Sequence, residues 1–403
     1  MQGIGYREIP SIHYSFFVVL GIMFALILAG LYAAWYMEHH GHWVTGMDNQ
    51  IVWGVPHVFA IFLILSASGA LNIASIATVF GRASFKPLSR FSALVAIALL
   101  IGGLSVLVLD LGRPDRLLIA MTHYNFRSVF AWNIFLYVGF LILVGFYVWS
   151  IMDRKMEALR IFAGATSFLW RLVLTSATGL IFGFLIARES YDSAILAPMF
   201  IAMSLSFGLA VFYLFLQGSF FVSRRKIGNY IVVRLGKLLR IFVSVVLYIV
   251  VISHLTNLYA SEHQDIERFF LLSGREITVI FWIGQILIGS FLPLLLLFPI
   301  DKPLDTVRMT YASVFVVIGG ISQLYVIIIG GQAYPLILFP GYEVSSSFFD
   351  GVINVYTPSL IETLLGIGGV ALAVKIVFLG SKILPFLPTN LDDKNTDPHY
   401  ESS

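Results

Sequence analysis

Ten long apolar stretches separated by short polar turns dominate the pattern of this chain. They fall at roughly 14–36, 53–80, 92–110, 128–151, 165–187, 194–221, 241–260, 277–300, 309–334 and 357–380. A helix needs about 20 apolar residues to cross hydrocarbon, and each stretch is of that order. The pattern predicts an all-α polytopic membrane protein with about ten transmembrane helices. The first stretch is longer than the core of a signal peptide and lacks a small-residue cleavage site, which predicts a retained helix.

Composition sharpens this reading. Hydrophobic residues fill 59% of the 403 positions and charged ones 12%, against about 25% charged in a soluble domain. A formal charge of +3 is too small to point to a nucleic-acid partner. Cysteine is absent, which excludes a thiolate-ligated Fe–S cluster, a disulfide and a covalently attached c-type haem. Electrons that pass through this chain would have to come from a partner or a non-covalent cofactor. With the N-terminus cytoplasmic, 19 of the 25 lysines and arginines fall on the cytoplasmic side; Arg113, Arg116, Arg127, Arg188, Arg268 and Arg275 are the rest. Positive residues concentrate on that side, so both termini are expected there.

On this topology the external loops collect polar and aromatic residues. Residues 37–52 carry Glu38, His39, His40, His42 and Asp48; 259–276 carry Glu262, His263, Asp265 and Glu267; 335–356 carry Phe339, Tyr342, Glu343, Phe348, Phe349 and Asp350. Such a surface suits a docked partner, and plain solvated loops look the same. The polar tail after Pro388 reads as disordered.

An ionisable side chain inside a span costs about 2.5–3.5 kcal/mol to insert, so each is a functional candidate. His57, Asp110, His254 and Glu362 lie toward the outer face and Arg171 toward the inner one. His57 heads a helical stripe with Ile61, Ile64, Ser68, Asn72 and Ser75, and Gly69 and Ala70 let a neighbouring helix approach it. Asp110 opens a tight turn through Gly112 and Pro114, with Arg113, Asp115 and Arg116 beside it. His254 and Asn257 share a face, and Glu362 sits next to Thr363 early in the last span. Each has a plain reading too: His57, His254 and Glu362 as satisfied interhelical hydrogen bonds, Asp110 as a carboxylate paired with a surface arginine. Arg171 and Lys375 read as snorkelling to the cytoplasmic interface. In the chemical reading, His57 binds a quinone carbonyl and exchanges its proton near neutral pH. His57 and His254 are the only histidines in spans, so at most one b-type haem could be built, and none is expected. No metal-ligand motif stands out.

Several motifs resemble the NrfD/PsrC family of membrane subunits. They are Trp53-Gly54-Val55-Pro56-His57, the small-residue patch Ser66-Ala67-Ser68-Gly69-Ala70, Leu109-Asp110-Leu111-Gly112-Arg113-Pro114, and Asn125, Ser128 and Trp132-Asn133 leading into the next span. Gly330-Gly331-Gln332 and Pro358 with Glu362 resemble its ten-span branch, most like the DsrP-type subunit. The resemblance implies a quinone-interacting subunit of the bacterial inner membrane that anchors an extracytoplasmic ferredoxin-like Fe–S subunit, often with a molybdoenzyme or a multihaem cytochrome. It implies two four-helix bundles with one flanking helix at each end. The divisions would be 1–52 for the first helix and outer loop, 53–190 for a first bundle with the quinone site, 191–335 for a second bundle, 336–383 for an outer loop and the last helix, and 384–403 for a disordered cytoplasmic tail.

The resulting expectation is a subunit, not active alone, that exchanges electrons and protons between membrane quinone, menaquinone or ubiquinone, and an Fe–S partner, in sulfur-compound metabolism. His57 and Asp110 would bind the headgroup and handle its protons, Ser68, Asn72 and Arg113 would help bind it, and His254 and Glu362 would serve a proton route. A secondary transporter and a purely structural membrane anchor are the rival readings.

Overall fold

The computed structural model describes residues 5–9, 14–298, 304–336 and 352–397. Ten helices are long and apolar enough to cross a membrane: α1 (Tyr14–His40), α2 (Val55–Thr78), α3 (Ser89–Leu109), α4 (Val129–Met152), α5 (Arg160–Gly183), α6 (Leu196–Val222), α7 (Asn229–Tyr259), α8 (Glu276–Leu297), α9 (Thr306–Ala333) and α10 (Leu360–Ile383). The chain is an all-α, multi-pass membrane protein.

Packing places α2 at the centre. Of its most apolar window 89% is buried, against 17% for α1. Contacts run in a closed ring through α2, α3, α4 and α5, and in a second ring through α6, α7, α8 and α9. The rings meet where α2 and α5 pack on α6 and α9 reaches α2. At that seam α2 and α6 touch backbone to backbone, because Gly69 faces Ser204 and Gly208 faces Ala70. The patch of small residues on α2 has this close crossing as its physical reason. The flanking helices α1 and α10 pack on each other, and α10 also packs on α3.

The first and last described segments lie at the same end of the helix array. Strand β1 (Tyr6–Arg7) pairs antiparallel with β2 (Leu387–Pro388), and Ile227 bridges to Leu391. Disorder from 384 onward therefore does not hold for residues 384–397, which fold back as a strand and a short helix, Asp393–Thr396. Two further expectations need correction. Helix α7 starts at Asn229 rather than near 241, since Arg234, Lys237 and Arg240 extend it beyond its apolar part. Arg171 does not snorkel: it is 2% exposed, halfway along α5. The aromatic positions 339, 342, 348 and 349, with Glu343 and Asp350, lie outside the described residues.

Candidate functional site

The start of α2 is built from three parts of the chain. Gly54 is its N-cap and Pro56 falls in its first turn, where a missing N–H costs nothing. Gly54 is required by proximity, because a Cβ there would lie 2.5 Å from both the Tyr356 hydroxyl and Glu362 Oε1. The Tyr356 hydroxyl accepts from the Val55 N–H at 2.9 Å and donates to Glu362 Oε1 at 2.6 Å. Burial, and then the bond to Glu362, push the Tyr356 phenol well above its ordinary pKa, so it stays a donor.

Gln332 holds the preceding residues from the other side. Its Oε1 accepts from the Val52 and Trp53 N–H groups at 2.9 and 3.0 Å, and its Nε2 donates to the carbonyls of Trp53 at 3.0 Å and Ile328 at 2.8 Å. Arg188 adds a second clasp, donating to the carbonyls of Gln332 at 3.1 Å and Gln50 at 2.8 Å. The Tyr356 side chain thus satisfies a backbone N–H that the start of the helix leaves open, and Gln332 satisfies the backbone just ahead of it.

One turn on, His57 meets Asp110. Asp110 is the C-cap of α3, followed by Gly112 at φ +67°, a turn the motif anticipated. His57 Nδ1 stands 3.0 Å from Asp110 Oδ2, with the histidine side chain 22% exposed and the carboxylate 1%. The two lack the alignment of a hydrogen bond, and among the described residues neither oxygen of Asp110 has a hydrogen-bond partner. An unsatisfied buried polar group costs about 1–3 kcal/mol, more when charged. Among the described residues Asp110 has no donor, and His57 is the partly exposed member of the pair. Trp53 flanks it, 6.3 Å from the His57 ring, and itself packs on Phe130 at 6.0 Å and Phe182 at 5.6 Å.

The other expected site residues lie elsewhere. Ser68 and Asn72 face α5, away from His57: Ser68 Oγ is 2.6 Å from Thr175 Oγ1, and Asn72 Oδ1 accepts from Arg171 Nη2 at 2.8 Å. At 1.5 Å per residue they sit about 16 and 22 Å along α2 from His57. Arg113 turns outward and pairs with Asp115 through two bonds of 3.0 Å, which hold the Asp115 carboxyl below its ordinary pKa. His254 Nδ1 lies 2.6 Å from Glu267 Oε2, and Asn257 donates to Glu267 Oε1 at 2.8 Å. Glu362 forms a capping box with Ser359 and accepts from the Gly46 N–H at 2.8 Å, so its carboxylate joins the first loop to α10. The two in-span histidines each have a separate carboxylate partner. Among the described residues no group of three or more histidines and carboxylates could hold a metal ion.

Sequence reasoning missed Glu267 as the partner of His254, and Gln332 and Tyr356 as the scaffold of α2. Glu267 was visible only as one acid among several in a loop. Gln332 stood in a motif with no role attached to it.

Residues 43–335 match the family described as polysulphide reductase, NrfD. The chain belongs to the NrfD family. An Hdr-like menaquinol oxidoreductase integral membrane subunit of Archaeoglobus fulgidus is 27% identical, covering 96% of this chain and 98% of that protein. A putative dimethyl sulfoxide reductase membrane subunit of Halobacterium salinarum is 28% identical over 91% of this chain and 90% of its own. A selenate reductase subunit of Mesobacillus selenatarsenatis is 23% identical over 92% and 93%. The NrfD match takes in His57, Asp110 and Gln332; Tyr356, Glu362, α1 and α10 lie outside it.

Proposed function

We propose that this NrfD-family chain is the membrane subunit of a respiratory redox complex and exchanges electrons and protons between the quinone pool and an Fe–S partner subunit. The observation that carries the proposal is Asp110, a buried carboxylate beside His57 that has no hydrogen-bond donor among the described residues. A quinol hydroxyl is the donor such a site lacks, and an imidazole can meet the other polar edge. A quinone, when bound, supplies two-electron, two-proton chemistry. This chain's part is to hold and move protons at His57 Nδ1 and Asp110 Oδ2, while Trp53, Phe130 and Phe182 exclude water. The relatives' names, which include a menaquinol oxidoreductase subunit, agree with this reading, and menaquinone is the quinone they favour.

With no cysteine in the chain, the electrons leave through a partner that carries its own clusters. A ferredoxin-like subunit, with a molybdoenzyme or multihaem cytochrome behind it, would dock at the His57 end. The lysine and arginine bias supports that end lying outside the cytoplasm with both termini inside, and the reading places the subunit in a bacterial inner membrane. The DsrP-type motifs point to sulfur compounds as the terminal substrates.

The test is quinol-linked electron transfer by the complex assembled with Asp110→Asn. Turnover per assembled complex should fall by about 100-fold, the lower range of general acid–base contributions. Unchanged turnover in both Asp110→Asn and His57→Gln would overturn the site.

A further inference from the structure

The end of the molecule where the termini meet holds a groove of about 950 Å³ between α2 and α7. From α7, Tyr230, Val233, Arg234, Lys237 and Leu238 line it. That spacing is one face of a helix, and it mixes cations with apolar residues where a surface helix would segregate them. Ile76, Phe80 and Arg82 close the opposite wall at and just beyond the end of α2. Arg82, Arg234 and Lys237 are exposed, and none makes an ion pair among the described residues. The Arg234 guanidinium stacks 4.7 Å over the Tyr230 ring, which fixes its direction. Two acids, Asp393 and Asp397, also line the groove, against the three cations; Asp393 is turned to the start of α7, where it accepts from the Tyr230 N–H at 2.8 Å.

A soluble anion would meet the three cations and leave the apolar wall bare. A plain acyl chain would cover the wall and leave the cations bare. We propose that the groove binds a phospholipid with an anionic headgroup, its phosphate on Arg82, Arg234 and Lys237 and an acyl chain along Ile76, Phe80, Val233 and Leu238. Basic pockets between spanning helices at the membrane surface suit this chemistry. Because α2 belongs to one helix ring and α7 to the other, the lipid bridges the two. The proposal is independent of the redox reading.

The experiment is native mass spectrometry of the full chain, with any subunits that accompany it, extracted in mild detergent. The sample is stripped of lipid and then titrated with phosphatidylglycerol, phosphatidylcholine or inorganic phosphate. The expected result is one phosphatidylglycerol bound in preference to phosphatidylcholine and not displaced by phosphate. Removing three charges at about 1 kcal/mol each predicts that Arg82→Gln, Arg234→Gln and Lys237→Gln together weaken it roughly 100-fold. Val233→Trp, which keeps every charge and fills the groove, should also lose the lipid; this covers the case in which the triple variant fails to fold. Equal retention of the two lipids by the unaltered chain, or occupancy by phosphate alone, would overturn the proposal. So would phosphatidylglycerol binding that both folded variants leave unchanged.

Discussion

Two histidine–carboxylate pairs, one in each helix ring, differ in how completely they are closed. In both, a histidine side chain about one-fifth exposed faces a carboxylate that is 1% exposed. Glu267 spends one oxygen on His254 and the other on Asn257, and Phe281 packs edge-on against the histidine ring at 4.9 Å. Asp110 has His57 beside it and, among the described residues, no hydrogen bond at either oxygen. A closed pair fastens a loop to a helix; an open pair keeps its capacity for a ligand. Burial of an acid beside a histidine does not by itself mark a reactive site, and the unspent hydrogen-bonding capacity is what separates the two.

That contrast can be broken most directly through turnover. Asp110→Asn should cost about 100-fold in quinol-linked electron transfer, whereas Glu267→Gln should leave turnover per assembled complex within about three-fold. The reverse ranking would move the chemistry to the second ring. Stability should rank the other way. Glu267→Ala leaves His254 and Asn257 unpartnered and should cost about 3 kcal/mol, while Asp110→Ala removes an acid that lacks hydrogen bonds and should be nearly neutral. Reversible unfolding in detergent measures both.

Smaller effects sharpen the picture. Gln332→Ala frees Val52 and Trp53 and should lower turnover about ten-fold, with a rise in the quinol KM as Trp53 loosens; steady-state kinetics on the assembled complex would show it. An unchanged KM would reduce Gln332 to a purely structural clamp. Arg113→Gln should change turnover less than about two-fold, since Arg113 pairs with Asp115 in solvent. A larger loss in the same assay would return Arg113 to the headgroup site.

The spans were legible because apolar length is a local signal, and the pairing of His57 with Asp110 because two motifs brought them to the same membrane face. What sequence hid were partners distant along the chain. Ser68 and Asn72 were correctly placed on the inward stripe of α2, but periodicity shows which way a side chain faces and not what it meets, here Thr175 and Arg171. Arg171 looked like an interfacial cation because a window of hydropathy cannot see the asparagine across the ring. Helix α7 began early for a similar reason, since a basic turn lowers hydropathy without ending a helix. Glu362 was singled out for its charge, whereas its role in a capping box needs only the local spacing of Ser359 and Glu362.

The clamp on Trp53 has a consequence for how the protein is made. Gln332 is 279 residues downstream of Trp53, and Tyr356 is 301 downstream of Val55. At 5–20 residues per second, a ribosome needs roughly 15 to 60 s to deliver Gln332 after Trp53 has emerged. Until then the nascent chain already owns His57 and Asp110, with Phe130, Phe182 and Arg188 beside the start of α2, but not the Gln332 and Tyr356 side chains that satisfy its backbone. The surroundings of the His57–Asp110 pair are therefore among the last features to set, and a chain released after its fifth span would carry the pair without the clamp from Gln332 and Tyr356.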